Sequence, residues 1–458
     1  MMLILVGLYL FFLVCSLSFN NTKIIKVIIV LCFFQNIILV LFSRFLNNTT
    51  YNIITLSKDV YVILFLCKLI FENRSISSDV VFCLLTMLGL AGLMLVFGTG
   101  EMKGQLSCLR QLILPFMFYS VGRLCNFTTK QIDKILLFFV RITIIAVLFG
   151  FVEYALGERF WVPAGLTGYA HLKGTEQHLL ENSMLRAFYT YITPTVRIRR
   201  MASVLVDAVI FTQIVAFSLI ILQFYKGLYS VSGKNFLFRR SLNIIILIIG
   251  LFLSFGKGGI IIASLSYCIL LREVSKSKIV SRLLLLAIIV IVWYYFVYSL
   301  SQELSGRAHF NGLINGLQIV IRNRPFGNGI GSEGNLAYVH GGFGYAKDGA
   351  GESYIGSMLA QTGLYGLITH IVVFMLCISK SNYNKYIDKD LCNIIRVLTM
   401  IMILTSFVNY ASISFTSCYI YFILSGMTKG KHKLLKKLEV AEEDRIVQGK
   451  TMVLVPYM

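Results

Sequence analysis

Apolar runs of near-bilayer length recur along this chain from its first residues to beyond position 420, and a segment of that length and character is a candidate membrane-spanning helix. Candidate spans fall at Leu3–Phe19, Ile24–Phe42, Ile53–Phe71, Val80–Phe97, Leu106–Leu124, Ile132–Leu156, Val204–Phe224, Leu242–Phe255, Ile260–Leu271, Leu283–Leu300, Tyr354–Ile378, Ile394–Asn409 and Ser412–Leu424. Several are short, and Ile53–Phe71 carries Lys58, Asp59 and Lys68, so the total lies at about 12 to 14. Hydrophobic residues make up 57% of the chain and charged residues 14%, against roughly 45–50% and 25% in a soluble domain. The expectation is an all-α fold: one polytopic transmembrane helix bundle over residues 1–428, then a basic and finally acidic tail over residues 429–458.

The ten cysteines lie almost all in or at the ends of apolar runs, which suits small buried side chains rather than a disulfide framework. No CxxC or HExxH is present, so neither a metal nor another cofactor is expected. The first apolar run lacks a basic flank and a small-residue cleavage site, and it is read as a retained span. No internal repeat supports an inverted-repeat transporter.

Lysine and arginine in short connections orient the bundle. Lys226, Lys234, Arg239 and Arg240 share one connection without an acid, and Arg272, Lys276, Lys278 and Arg282 share another with Glu273 alone. These, the Lys380–Lys389 connection and the tail belong in the cytoplasm, which leaves long extracytoplasmic loops at about 157–200 and 301–352. The net charge of +21 is then a topology signal and an attraction to anionic lipid, and nucleic acid is not an expected partner.

Chemistry is expected in those two loops. The first ends in Arg197, Arg199 and Arg200, against the positive-inside tendency, and clustered guanidinium groups bind phosphate or pyrophosphate bidentately. Snorkelling to lipid headgroups explains any one of them equally well. Asp207 follows two turns later, and continuous helical spacing would put it on the face of Ser203, one turn beyond Arg200. An Arg–Asp pair that orients the arginine is the expectation, with a purely structural pair as its rival.

In the second loop, Phe310, Leu313, Ile314, Leu317 and Ile321 keep helical spacing opposite Arg307, Asn311, Asn315, Gln318 and Arg322. The pattern predicts an amphipathic helix on the outer membrane surface. Arg324-Pro325-Phe326-Gly327-Asn328-Gly329 follows, a turn whose backbone N–H groups can form an anion-binding nest. Glu352 then stands at the mouth of the next span, where it can serve as a general base or as a helix cap.

Ser254-Phe255-Gly256-Lys257-Gly258-Gly259, then Gly306-Arg307, then the Arg324–Gly329 turn, then Glu352-Ser353-Tyr354 and Gly363-Leu364-Tyr365-Gly366 resemble, in that order, the O-antigen polymerase and ligase superfamily. The resemblance covers roughly Arg200–Leu367, and the N-terminal half agrees only in hydropathy. It implies a bacterial inner-membrane glycosyltransferase that uses undecaprenyl-diphosphate-linked oligosaccharide, works on the outer face and has a chain-length regulator protein as a further partner. The ligases carry histidine where Glu352 stands, and the small-residue turn usually carries arginine where Lys257 stands. The first departure favours polymerases of O-antigen or capsule over ligases; a lipid-linked oligosaccharide flippase is the rival of a different class. On this reading Arg200, Arg307 and Lys257 stabilise the departing pyrophosphate, Arg197, Arg322, Arg324 and Asp207 help to bind it, and Glu352 activates the acceptor hydroxyl.

Overall fold

The computed structural model describes the backbone of residues 2–73, 75–173, 180–181, 184–185, 188–191, 197–228, 236–274, 286, 305–322, 325–334, 337, 353–379, 387–407 and 409–429. The predicted span Leu283–Leu300, apart from Leu286, the loop from 338 to 352 and the tail from 430 onward lie outside the described residues.

Short polar connections divide the first third of the chain into α1 (Met2–Ser16), α2 (Asn21–Phe42), α3 (Asn48–Glu72), α4 (Ser78–Phe97), α5 (Met102–Leu124) and α6 (Thr129–Leu156). Asparagine and threonine in these connections satisfy the otherwise unpaired first amides of the helices. Asn20 accepts from Lys23 N at the start of α2, Asn47 accepts from Thr50 N at the start of α3, and Thr128 with Gln131 forms a capping box on α6. Two short helices follow, α7 (Glu158–Ala164) and α8 (Leu166–Leu172), then two strand pairs: β1 (Leu180–Glu181) with β2 (Met184–Leu185), and β3 (Tyr189–Tyr191) with β4 (Arg197–Arg199). The remaining helices are α9 (Ala208–Phe224), α10 (Phe236–Ser254), α11 (Lys257–Val274), α12 (Ser305–Ile321), α13 (Tyr354–Ile378), α14 (Lys389–Thr405) and α15 (Phe415–Met427).

The protein is a polytopic membrane protein. Among the described residues, four helices are long and apolar enough to cross a bilayer: α2 with the turn after it, α4, α6 and α13. On α4, Leu88 and Leu95 are 70% and 78% exposed, surface that a hydrocarbon solvent accepts and water does not. Each predicted span on described residues overlaps a helix. Glycine lets helix backbones meet where lipid supplies no hydrophobic drive: on α5 and α15, a Cβ at Gly122 would stand 2.0 Å from Ile423 O and one at Gly426 2.3 Å from Tyr119 O.

Contacts between connections sort into two ends. At one end Ser43 donates to Gly165 O, Thr99 N to Ile330 O and Ser353 to Phe407 O. At the other, Arg123 pairs with Asp79 at 2.8 Å and donates to Lys429 O, whose own ammonium reaches Ser379 O. The connections that lie on described residues alternate between the two from α2 to α11, as an up-and-down membrane bundle requires. The first is the loop end, expected outside; the second is the tail end.

Candidate functional site

The loop end gathers Arg197, Arg199, Arg200, Asp207 and Lys257. The hairpin of β3 and β4 pairs Tyr189 with Arg199 and Tyr191 with Arg197, and Arg200 N continues it by donating to Phe188 O at 2.6 Å. Neighbouring side chains on extended backbone leave on opposite faces, which separates Arg199 from Arg200. Arg199 turns to α6, donating to Glu153 O and Tyr154 O at 3.0 Å each and meeting the Glu153 carboxylate at 3.5 Å. Glu153 is wholly buried and also accepts from Trp161 Nε1 at 2.9 Å and Ser203 N at 3.2 Å. Arg199 and Glu153 therefore fasten the hairpin. Arg197 is exposed, with its guanidinium 5.1 Å from the Tyr189 ring centre.

Asp207 is not two turns into a helix. The chain makes a 3-10 turn at Ser203–Leu205, with Ser203 and Val206 at φ 53° and 56°, and α9 begins only at Ala208. Such angles are strained for a residue with a side chain, most of all for a β-branched one. They stop the helical path from Arg200, and Asp207 becomes the cap of α9, accepting from Val209 N at 2.9 Å and Ile210 N at 3.0 Å. Burial lowers the Arg200 pKa below its ordinary value, and the Asp207 charge acts in the opposite sense.

Met201 N donates to Leu253 O at 2.9 Å and so ties this segment to the end of α10. Two residues on, Phe255 takes φ 41°, and α11 opens at Lys257 with its glycines pressed on α9: a Cβ at Gly259 would stand 2.6 Å from the Thr212 carbonyl carbon. Arg200, Asp207 and Lys257 thus share one end of the α9–α11 group. All three strained non-glycine residues named here flank them.

The glycine-rich turn and the Gly363-Leu364-Tyr365-Gly366 segment form one device. Gly363 lies at φ 59° and ψ −142° inside α13 and breaks its ladder between Ala360 O and Leu364 N. The turn fills the break, with Asn328 N donating to Ala360 O and Leu364 N donating to Pro325 O, both at 2.7 Å. A Cβ at Gly363 would stand 2.0 Å from Pro325 O, and one at Gly327 would stand 2.6 Å from Ala360 O. Gly331 N is taken by Gln361 Oε1 at 3.0 Å. The amides of Asn328 and Gly331 are therefore committed to α13 and not open to an anion.

Helix α12 carries three faces. Gly312 and Gly316 lie against α13, where a Cβ at Gly356 would stand 2.2 Å from Gly312 O. Phe310, Leu317 and Ile321 are exposed on an apolar face, and Asn311, Asn315, Gln318 and Arg322 lie between these two faces by helical spacing. A helix runs over this stretch, packed on α13 through Gly312 and Gly316, with Leu313 and Val320 partly buried against the core. Arg322 stands exposed just beyond its end. The backbone of Arg307 lies in its first turn; Arg324 and Glu352 fall outside the described residues. Ser353, beside Glu352, caps α13 by accepting from Gly356 N at 3.0 Å.

Sequence reasoning missed a second charged group. On α3 and α5, Asp59 meets Arg110 at 3.4 Å, and Lys58 lies 5.1 Å from the Phe415 ring centre. Tyr51 and Tyr169 pack edge to face with ring centres 6.2 Å apart, and the Asp207 charge acts on Tyr169. Lys173 lies over the Tyr169 ring at 5.8 Å. Glu333 is buried at the edge of the glycine-rich turn, where its carbonyl accepts from Ser357. The signal for Lys58 and Asp59 was their place in an apolar run.

Cations fixed in partly buried positions can stabilise an anion or a negative charge that develops in a reaction. Among the described residues no group of three or more His, Cys, Asp or Glu side chains is placed to hold a metal ion. No family model matches the chain, and no curated protein or solved structure matches it.

Proposed function

We propose that this protein polymerises lipid-linked oligosaccharide repeat units of a bacterial O-antigen or capsule, at the outer face of the inner membrane. The observation that supports the reading is that Arg200, Asp207 and Lys257 lie at the same end of the bundle as the glycine-rich turn and the start of α13. Two of the sequence segments behind the resemblance, Pro325–Gly329 and Gly363–Gly366, are joined there by paired backbone hydrogen bonds.

In the proposed reaction the acceptor hydroxyl oxygen bonds to the anomeric carbon of a second lipid-linked unit. The bond from that carbon to the diphosphate breaks, its electron pair leaves with the lipid diphosphate, and the hydroxyl proton passes to a base. Arg200, Arg307 and Lys257 stabilise the leaving group, helped by Arg197, Arg322 and Arg324, while Asp207 orients Arg200. Glu352 is the proposed base.

The glycan banding of a deletion strain tests this. Single repeat units support a polymerase. Unattached polymer identifies a ligase, and cytoplasmic accumulation of lipid-linked units identifies a flippase; either result overturns the reading.

A further inference from the structure

The Lys58–Asp59–Arg110 group is an expensive arrangement to hold inside a bundle, since two cations face one acid. The Asp59 residue is 7% exposed, and its Oδ1 is buried without a hydrogen-bond partner, as is Arg110 Nε. An ion pair built only for stability would satisfy both atoms. The group also stays within reach: the Arg110 side chain is 29% exposed. Phe415, beneath the Lys58 ammonium, is the first residue of the short helix α15, and the chain before it descends from the loop end, where Ile413 O accepts from Gln111 at 2.8 Å. The charges therefore lie beside the start of α15, next to the segment that returns from the loop end, with Lys173 adding a further positive charge that acts on Lys58.

We propose that Lys58 and Arg110 hold the diphosphate of a second lipid-linked sugar, with Asp59 Oδ1 accepting a hydroxyl of that sugar. The proposal rests on the reading above, because joining two lipid-linked units requires two lipid diphosphates to be held at once. The Arg200 cluster accounts for one. An orphaned donor, Arg110 Nε, and an orphaned acceptor, Asp59 Oδ1, in one ion pair suit a ligand that is anionic at one point and hydroxylated at the next.

The test is a binding titration of the full chain in nanodiscs with undecaprenyl diphosphate. Wild-type protein is expected to take up two equivalents and the Lys58→Gln/Arg110→Gln double variant one. Each single variant should weaken one site about tenfold, the loss of one charge-assisted hydrogen bond. Asp59→Asn provides a readout in the opposite direction: bare diphosphate, relieved of a neighbouring negative charge, should bind more tightly, whereas weaker binding would mark a merely structural ion pair. A single equivalent that Arg200→Ala abolishes and the double variant leaves intact would overturn the second site and spare the first. Two equivalents that depend on Lys58 and Arg110, in a strain whose deletion leaves normal polymer, would keep the site and overturn the polymerase reading.

Discussion

The Arg199 guanidinium meets the Glu153 carboxylate at 3.5 Å, with the carboxylate wholly buried and the arginine side chain 22% exposed. Arg199 also donates to two carbonyls at the end of α6, so the pair sets where the neighbouring Arg200 emerges. Removing one partner of a buried pair strands the other charge, at a cost of about 3–5 kcal/mol. Glu153→Leu is expected to lower the thermal midpoint of the purified protein sharply, and Glu153→Leu/Arg199→Met to recover part of the loss. A double variant as unstable as the sum of the two single ones would show that the charges do not act on each other.

Backbone insertion at Gly363 makes a sharper demand. Gly363→Ala adds a Cβ 2.0 Å from Pro325 O on a backbone of φ 59°, so the turn must leave the break or the helix must shift. Strain at φ alone costs about 1–3 kcal/mol, and the variant is expected to express poorly or unfold early. Gly92 on α4 is the control: nothing lies within 4 Å of its added Cβ, and Gly92→Ala should be neutral or stabilise the helix by about 0.5–1 kcal/mol. Equal melting of the two variants would contradict the account of the break.

The contrast between these glycines shows what the sequence carries. Apolar runs located the helices to within a few residues, because bilayer length and hydropathy act locally. The glycines of the turn and of α13 stood out as motifs, but their purpose is a pair of hydrogen bonds between segments more than 30 positions apart, which no local pattern encodes. The break before α9 was hidden for another reason: Ser203-Val204-Leu205-Val206 continues an apolar run without glycine or proline, and only tertiary contacts such as Glu153 with Ser203 N hold its strained angles. Lys58 and Asp59 were visible as charges in a span, yet Arg110 lies 51 residues away from Asp59.

Orientation follows from placing Arg159 and Lys103 at the loop end and Lys130 and Lys389 at the tail end, all four exposed. In a background without reactive native thiols, Arg159→Cys and Lys103→Cys are expected to react with an impermeant maleimide on intact cells, and Lys130→Cys and Lys389→Cys only after lysis. The reverse pattern would invert the bundle and put Arg200 on the cytoplasmic side.

Lys429, beyond the end of α15, supplies a pH test. Burial pushes its ammonium down to about 8 from 10.5; Cys377 and Cys392 oppose the shift, and Arg123 and Arg396 add to it. Between these values the unfolded chain binds the proton that the folded chain has released. Stability should therefore rise as pH climbs from about 8 toward 10.5, and this contribution should be flat below 8. Comparing thermal midpoints of wild type and Lys429→Met across that window checks it: the rise should shrink in the variant, and an identical rise in both would remove Lys429 as its source.

Reconstitution tests whether the cations at the loop end serve glycan transfer as proposed. Purified full chain in proteoliposomes, given lipid-linked repeat units as the sole sugar source, is expected to yield a ladder of multiples. Arg200→Ala, with unchanged solubility and thermal midpoint, should slow that ladder by about 100- to 1,000-fold, the scale of losing one preorganised charge-stabilising group. A wild-type ladder from Arg200→Ala would contradict the account.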